Sequence, residues 1–213
     1  MKPGRLAWIG GYLFSMFALV VLLSASVAPP AALTAAPAAS SLHLMVDPAR
    51  SKVSWTLSAT AHTVHGTFTV KQGTLHLDTS TGKASGEIVV YATSGESGNS
   101  GRDEKMHREV LQSQKFAEII FRPDRVDGKV APAGPSTVQV HGIFSLHGAD
   151  HELTMPIRVQ VFQDHWMADT HFTVPYVKWG LKNPSTFVLR VSESVEIDVH
   201  ATGQRPLASG GAH

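Results

Sequence analysis

The greater part of this chain is predicted to be an all-β domain of about eight antiparallel strands with one short helix. From Val53 onward, apolar and polar residues alternate with a period of two in successive segments, which is typical of half-buried strands. Breaks rich in Gly, Pro and Ser separate these segments, and only one stretch has helical periodicity. Strands that follow one another without intervening helices form an antiparallel sheet. The periodicity leaves open whether that sheet closes as a barrel or folds as a sandwich.

The strands can be placed in order along the chain. They are predicted at residues 53–60, 64–70, around 75–77, and at 87–92, 118–122, 137–146, 152–163, 166–174 and 186–200. A flexible loop is predicted at 95–101. Asp103 follows it as the predicted N-cap of the helix, whose apolar face contains Met106, Val110 and Leu111.

The N-terminus is predicted to be a targeting segment. Lys2 and Arg5 precede a long uncharged apolar run, which ends in an Ala/Pro/Ser-rich stretch. This order is typical of a secretory signal. We therefore expect residues 1–38 to be a signal peptide with its Ala/Pro-rich segment, and the domain to be periplasmic or secreted. The apolar run is longer than usual, so an uncleaved membrane anchor is the alternative. Residues 204–213 are predicted to be a disordered tail.

Composition excludes several classes of function. Of the 213 residues, 18 are Lys or Arg and 17 are Asp or Glu, so the net charge is +1. This balance excludes a general interaction with nucleic acid, which requires clustered cations. The chain contains no Cys. Disulfides, thiolate nucleophiles and Cys-ligated zinc are therefore excluded as well.

Three stretches in a fixed order resemble a known family. The first is Gly-Thr-Phe at residues 66–68, after a strand containing Trp and Leu. The second covers residues 102–121, where Arg-Asp is followed by a Ser-x-x-Phe segment. The third is the Gly-x-x-x-Leu-x-Gly hairpin at residues 142–148. In this order they resemble the YceI-like family of exported bacterial lipid-binding proteins, over about residues 44–203.

The resemblance implies an extended lipocalin-like barrel over residues 42–203. It also implies that an apolar channel holds a polyisoprenoid chain, such as that of a quinone precursor, or a similar long apolar lipid. The implied function is carriage, storage or sequestration, without a required cofactor and without enzymatic chemistry. Residues 174–181 replace the family's usual acidic-Phe-Gly segment.

The predicted ligand-binding residues are mostly apolar side chains expected to face the barrel interior. They are Trp55, Leu57, Phe68, Val70, Ile88, Val90, Arg102, Asp103, Met106, Phe116, Phe121, Phe144, Leu146 and Phe172. Core packing would also place any one of the apolar members inside. The ligand interpretation therefore depends on the barrel and on the family resemblance. Each buried CH₂ of an isoprenoid tail contributes roughly 0.8 kcal/mol, so a long tail would bind tightly.

Arg102 and Asp103 allow two interpretations. In the first, they form a helix cap and a surface ion pair, which contributes at most about 1 kcal/mol. In the second, Arg102 lies at the channel mouth and donates to a polar head group such as a quinone carbonyl or a phosphate.

The histidines suggest an alternative function. His62 and His65, with His107 or with His147 and His151, would make a metal-binding or stress-related module. His62 and His65 share a ligand only if their segment turns, because strand positions three apart point to opposite faces. A third hypothesis is an enzyme that acts on a bound lipid, but nothing at catalytic spacing supports it.

Overall fold

A computed structural model describes residues 41–60 and 62–205, in which strands predominate. The strands are β1 (Ser41–Val46), β2 (Lys52–Ser58), β3 (Thr63–Asp78), β4 (Ala84–Glu96), β5 (Glu118–Asp127), β6 (Gly134–Leu146), β7 (Ala149–Val161), β8 (His165–Val174) and β9 (Val195–Gln204). A helix, α1 (Ser100–Lys105), continues into a π-helical segment (Met106–Leu111). The predicted all-β class with one short helical region is confirmed.

The sheet closes into a barrel. Neighbouring strands follow the order β3, β2, β9, β8, β7, β6, β5 and β4, and β4 pairs with β3 to complete the ring. Strands β1 and β2 occupy one place in this ring end to end. Each pairs antiparallel with β3 and β9, with β2 beside residues 63–68 of β3 and β1 beside residues 74–78. The ring therefore has eight positions, and the barrel is established over the sandwich.

Strand β3 corrects one expectation. The sequence predicted two strands separated by a turn at residues 71–73, whereas β3 is continuous from Thr63 to Asp78. Its register against β4 shifts between Val70 and Gln72, which marks a bulge. The apolar interior side chains of β3 are even-numbered before the bulge and odd-numbered after it, as in Val70 and Leu75. A bulge that adds one residue exchanges the two faces of a strand, so the alternation is interrupted although the strand is not.

The helix begins earlier than predicted. Asn99, not Asp103, is the N-cap, and its Oδ1 accepts a hydrogen bond from the Arg102 backbone N–H at 3.0 Å. Asp103 lies inside the first turn and accepts from the Ser97 backbone N–H at 3.0 Å. Since β4 extends to Glu96, only residues 97–99 remain of the predicted loop. Asn and Asp are equivalent caps, so residue type alone did not fix the start.

Other boundaries also differ from the sequence prediction. The last strand was predicted at 186–200 but covers Val195–Gln204, and residues 175–194 form a long connection after β8. Apolar residues in that connection, such as Leu189 and Val191, alternate like strand residues and line the interior, but Val191 pairs only in an isolated bridge with Ala59. Strand β1 was not predicted.

Both predicted terminal segments extend beyond the described part of the chain. The predicted signal segment lies outside the described residues, as do residues 206–213. Gln204, where the tail was predicted to begin, is the last residue of β9, and the Arg205 backbone N–H donates to the Asp164 carbonyl at 2.9 Å. Within residues 41–60 and 62–205, no helix is long and apolar enough to cross a bilayer.

Candidate ligand-binding cavity

The part of the barrel around β1 encloses a cavity of about 210 Å³, here called the lower chamber. All nine strands contribute to its wall. Members of the wall include Leu42, Val70, Ile88, Phe121, Val159 and Ala168. The polar exceptions are Ser51, His76 and Thr170, and the Thr170 hydroxyl already donates to the Pro156 carbonyl at 2.7 Å. This chamber is suited to hydrocarbon.

The opposite part of the barrel encloses a cavity of about 400 Å³, here called the upper chamber. Strand ends form one side of it, and the rest comes from α1, the π-helical segment, residues 175–194 and the β2–β3 loop, which contributes Ala59 and His62. Its apolar wall includes Trp55, Leu57, Met106 and Leu146. Unlike the lower chamber, it is also lined by two cationic side chains, Arg102 and Lys105. The interior is therefore polarised along the barrel axis.

The two chambers adjoin at a narrow zone, here called the waist. Four apolar side chains line both chambers, namely Phe68, Ile119, Phe144 and Ile197. The Phe144 ring lies 6.1 Å from the Phe172 ring and 5.7 Å from the Trp179 ring, measured between centroids. A single elongated molecule that passes the waist would contact both chambers. The upper chamber, at about 400 Å³, lies within the range of about 300–1,000 Å³ found for ligand pockets, and the lower chamber adds about 210 Å³ to it.

Each chamber contains a buried tryptophan whose indole N–H lacks a partner. Trp55 lines the upper chamber and Trp166 the lower one, and both side chains are buried. Neither Nε1 atom has a hydrogen-bond partner. Both Nε1 atoms are covered by neighbouring atoms, Trp166 Nε1 lying against Gly203, so a ligand oxygen reaches either donor only if the indole ring turns.

Arg102 and Lys105 face the upper chamber without carboxylate partners. The Arg102 guanidinium donates from Nε to the Ser97 hydroxyl at 2.7 Å and from Nη2 to the Ser97 carbonyl at 3.0 Å. Lys105 Nζ donates to the Pro184 carbonyl at 3.4 Å. Among the described residues, neither cation forms an ion pair with Asp or Glu. Two cations without a direct carboxylate contact favour an electronegative group in this chamber.

All of the predicted ligand-binding residues except two line a chamber. Trp55, Leu57, Arg102, Met106 and Leu146 line the upper one. The waist contains Phe68 and Phe144, and the lower chamber is lined by Val70, Ile88, Val90, Phe121 and Phe172. The exceptions are Asp103 and Phe116. Whether these residues contact a ligand remains a prediction.

Asp103 and Phe116 have structural surroundings instead. Asp103 accepts hydrogen bonds from both the backbone N–H and the hydroxyl of Ser97. Phe116 packs against the His147 ring at 4.5 Å between centroids and against Gly148. Arg102 and Asp103 thus hold the same serine rather than forming the expected surface ion pair, and only Arg102 also lines the cavity.

Residues 175–194 contribute to the wall of the upper chamber, which the sequence did not predict. Tyr176 and Leu181 are buried and line the upper chamber, together with Leu189 and Val191. The Tyr176 hydroxyl donates to the Ser192 carbonyl at 2.6 Å, and burial raises the pKa of Tyr176 to about 12. Residues 174–181, which replace the family's usual acidic-Phe-Gly segment, overlap this connection. That departure was the one indication in the sequence that the connection differs.

The histidines are dispersed. His65 lies on the outer face, where its Nδ1 is 3.0 Å from the Thr56 hydroxyl. Both ring nitrogens of His107 are engaged, by the Ser113 hydroxyl at 2.9 Å and the Gly95 carbonyl at 2.8 Å. In the described part of the chain, no group of three or more His, Asp or Glu side chains is placed to hold a metal ion.

The chain was compared with family models and with curated protein sequences. The family model for the YceI-like domain matches residues 44–203. No curated protein sequence matches the chain.

Several solved structures share the fold. BcnA from Burkholderia cenocepacia superposes with a TM-score of 0.61 at 15% identity, covering 74% of this chain and 99% of that one. A polyisoprenoid binding domain from Saccharophagus degradans, implicated in plant cell wall breakdown, gives 0.57 at 15% identity and covers 78% and 99%. A YceI protein from Campylobacter jejuni gives 0.51 at 8% identity and covers 62% and 79%. At these identities the likeness shows the fold.

Proposed function

Because this chain belongs to the YceI-like domain family, we propose that it binds a polyisoprenoid or a similar long-chain apolar lipid inside its barrel. The observation that carries the proposal is the pair of adjoining chambers, one almost wholly apolar and one lined by Arg102 and Lys105. The polyisoprenoid binding domain from Saccharophagus degradans, which has the same fold, supports this ligand class.

The polarity of the interior sets the orientation of the ligand. The tail lies in the lower chamber, where each buried CH₂ contributes roughly 0.8 kcal/mol. The head group lies in the upper chamber, where Arg102 and Lys105 offer donors. A quinone carbonyl or a phosphate is the complementary acceptor.

Binding rather than catalysis is supported by the predominantly apolar walls of both chambers. The titratable side chains on these walls are few, with His76 in the lower chamber and His62, Lys105 and Tyr176 in the upper one. Two of them are already engaged, because the Tyr176 hydroxyl donates to the Ser192 carbonyl and Lys105 donates to the Pro184 carbonyl. We further propose that the protein is exported, and that it carries, stores or sequesters its lipid in the periplasm. The charge pattern of residues 1–38 supports export.

Native mass spectrometry tests the ligand. Protein extracted with a mild detergent should retain an apolar molecule, and delipidated protein should take up ubiquinone in preference to palmitate. Arg102→Gln should weaken ubiquinone uptake, whereas Arg158→Gln is the matched control, because Arg158 lines neither chamber. Protein that is repeatedly purified empty and fails to take up any isoprenoid would contradict the proposal.

A further inference from the structure

The connection between β8 and β9 presents two apolar side chains to solvent. Phe187 is 95% exposed and Val188 is 86% exposed. The other exposed large apolar side chains in the described part of the chain are Met45 at 49% and Tyr91 at 39%. Single exposed apolar residues are normal in soluble proteins, but two adjacent and almost fully exposed ones call for a partner.

These two residues are the centre of an ordered turn, here called the tip (residues 186–190). The Thr186 backbone N–H donates to the Leu189 carbonyl at 2.8 Å, and the Leu189 backbone N–H donates to the Thr186 hydroxyl at 3.1 Å. The turn is also fixed to the β2–β3 loop, because the Thr60 backbone N–H donates to the Arg190 carbonyl at 2.9 Å. Phe187 and Val188 are therefore held outward by local hydrogen bonds.

The tip adjoins the upper chamber. Leu189 and Val191 line that chamber, as does Pro184 on the other side of the turn. The chain thus turns apolar side chains inward at 184, 189 and 191 and outward at 187 and 188. Whatever contacts the tip lies beside the wall of the cavity that we propose for the lipid head group.

The charge around the tip is positive. Residues 178–190 include Lys178, Lys182 and Arg190 but no Asp or Glu. Lys182 pairs with Glu109 at 2.8 Å, whereas Arg190 makes no ion pair within the described residues. An aromatic and an aliphatic side chain flanked by cations match the boundary of an anionic bilayer, where the apolar groups enter the acyl region and the cations meet head groups.

We propose that the tip docks onto an anionic membrane surface by inserting Phe187 and Val188, with Arg190 contacting lipid phosphates. The docked tip places the upper chamber against the bilayer, so that a lipid passes between membrane and barrel with little exposure to water. The docking step stands on the tip alone, and the transfer step rests on the proposed lipid-binding function.

Site-specific labelling tests the docking step. The chain has no Cys, so Phe187→Cys can carry a single environment-sensitive fluorophore, and Met45→Cys is the matched control on β1. With phosphatidylglycerol–phosphatidylcholine vesicles, we expect a blue shift and quenching by brominated lipid at position 187 and no change at position 45. Absence of both signals at 187, or equal signals at both positions, would overturn the proposal.

A second experiment separates docking from ligand binding. The double variant Phe187→Ser/Val188→Ser should transfer ubiquinone from anionic vesicles at least about tenfold more slowly, because each of the two side chains contributes about tenfold or more when it is buried. Its ubiquinone binding in detergent micelles should equal that of the parent protein, because neither residue lines a chamber. An unchanged transfer rate would overturn the proposal that lipid passes to the barrel through the docked tip.

The outcomes of the two proposals are distinguishable. Failure of the parent protein to bind ubiquinone in micelles would contradict the proposed function, while insertion of the labelled tip would still support docking. Arg190→Glu should reduce binding to anionic vesicles, and equal binding by this variant would contradict the charge argument. If sedimentation shows a self-associated parent protein that the double serine variant converts to a monomer, the tip is an interface between copies and membrane docking is wrong.

Discussion

At the scale of single residues, the most informative group is the indole N–H of Trp55. Its side chain is buried, lines the upper chamber and has no hydrogen-bond partner for Nε1. We predict that Trp55→Phe weakens ubiquinone binding by about fivefold, the equivalent of one neutral hydrogen bond. Binding of a pure hydrocarbon such as squalene should change much less, which isothermal titration in micelles would show.

Trp166→Phe is the matched control for this prediction. Trp166 is also buried and unpartnered at Nε1, but it lines the lower chamber, where the apolar tail is proposed to lie. Its substitution should affect ubiquinone and squalene alike. If Trp55→Phe shows that same uniform pattern, the head group does not contact this indole.

A second residue-scale prediction concerns His171 on the outer face. Its Nδ1 lies 2.8 Å from Asp198 and its Nε2 lies 3.1 Å from Glu196. The hydrogen bond with Asp198 raises the pKa of His171 above 6.5. A raised folded-state pKa means that this interaction stabilises the fold below the unfolded-state pKa and is lost as pH rises through the folded-state value. The contribution is small because the group is exposed.

NMR titration checks this assignment. The His171 midpoint should lie above the ordinary histidine value, and Asp198→Asn should lower it. Asp169→Asn, which removes the partner of the neighbouring His200, should leave the His171 midpoint close to that of the parent protein. A His171 midpoint that does not respond to Asp198→Asn would contradict the assigned cause.

At the scale of elements, the contact between β2 and β3 depends on Gly66. A Cβ at this position would lie 2.3 Å from the Trp55 ring and 2.2 Å from the Glu96 carbonyl oxygen. We predict that Gly66→Ala lowers the free energy of unfolding by about 1–3 kcal/mol, as overpacking does, and displaces Trp55 from the chamber wall. Denaturant unfolding and tryptophan fluorescence measure the two effects.

Gly101→Ala provides the control. Gly101 lies in α1, and a Cβ there would come no closer than 3.7 Å to the Asn99 side chain. Alanine is the better helix former, so this variant should be neutral or stabilised by up to about 1 kcal/mol. Equal destabilisation of both variants would mean that the clash at Gly66 is not the cause.

The elements also show how far sequence reasoning reaches. Alternation predicted the interior positions of β2 correctly, because Val53, Trp55 and Leu57 obey a strict period of two. It failed where a bulge exchanges faces, as between Val70 and Leu75, because a bulge resembles a turn in sequence. It also failed in residues 175–194. Apolar residues there face the cavity, but the connection pairs only through the isolated bridge between Val191 and Ala59.

The candidate site divides in the same way. Apolar members such as Ile88 and Phe172 could be predicted because burial in a barrel follows from alternation. The roles of Arg102 and Asp103 could not be separated, since adjacent helix positions point in different directions that depend on where the helix starts. The tip residues Phe187 and Val188 were assigned to a strand, and only their exposure in the fold distinguishes them.

At the scale of the whole molecule, closure of the sheet provides the interior that the proposed lipid binding requires. A closed ring leaves no unpaired strand edge in the described barrel. The interior of a ring with eight positions is wide enough to hold one small ligand. The net charge of +1 fits a protein that selects an apolar shape instead of a polyanion. Although the molecule is nearly neutral, cationic side chains line the upper chamber and lie in the tip, so its charge is unevenly distributed along the barrel.

The length of the ligand should then be set by the depth of the lower chamber. Ala168 and Ala201 are paired neighbours on β8 and β9 that both line this chamber. We predict that Ala168→Phe fills it and weakens binding of a long-tailed ubiquinone by about tenfold for every two methylene groups excluded. A quinone with a single isoprene unit, held in the upper chamber, should bind the variant and the parent protein equally.

Native mass spectrometry with quinones of increasing tail length measures this cutoff, and thermal unfolding verifies that the variant is folded. Ala149→Phe is the control, because Ala149 is exposed at the β6–β7 hairpin and lines neither chamber. Long-tailed quinone binding should be normal in the control. If Ala168→Phe binds long and short quinones as the parent protein does, the tail does not occupy the lower chamber and the proposed orientation of the ligand is wrong.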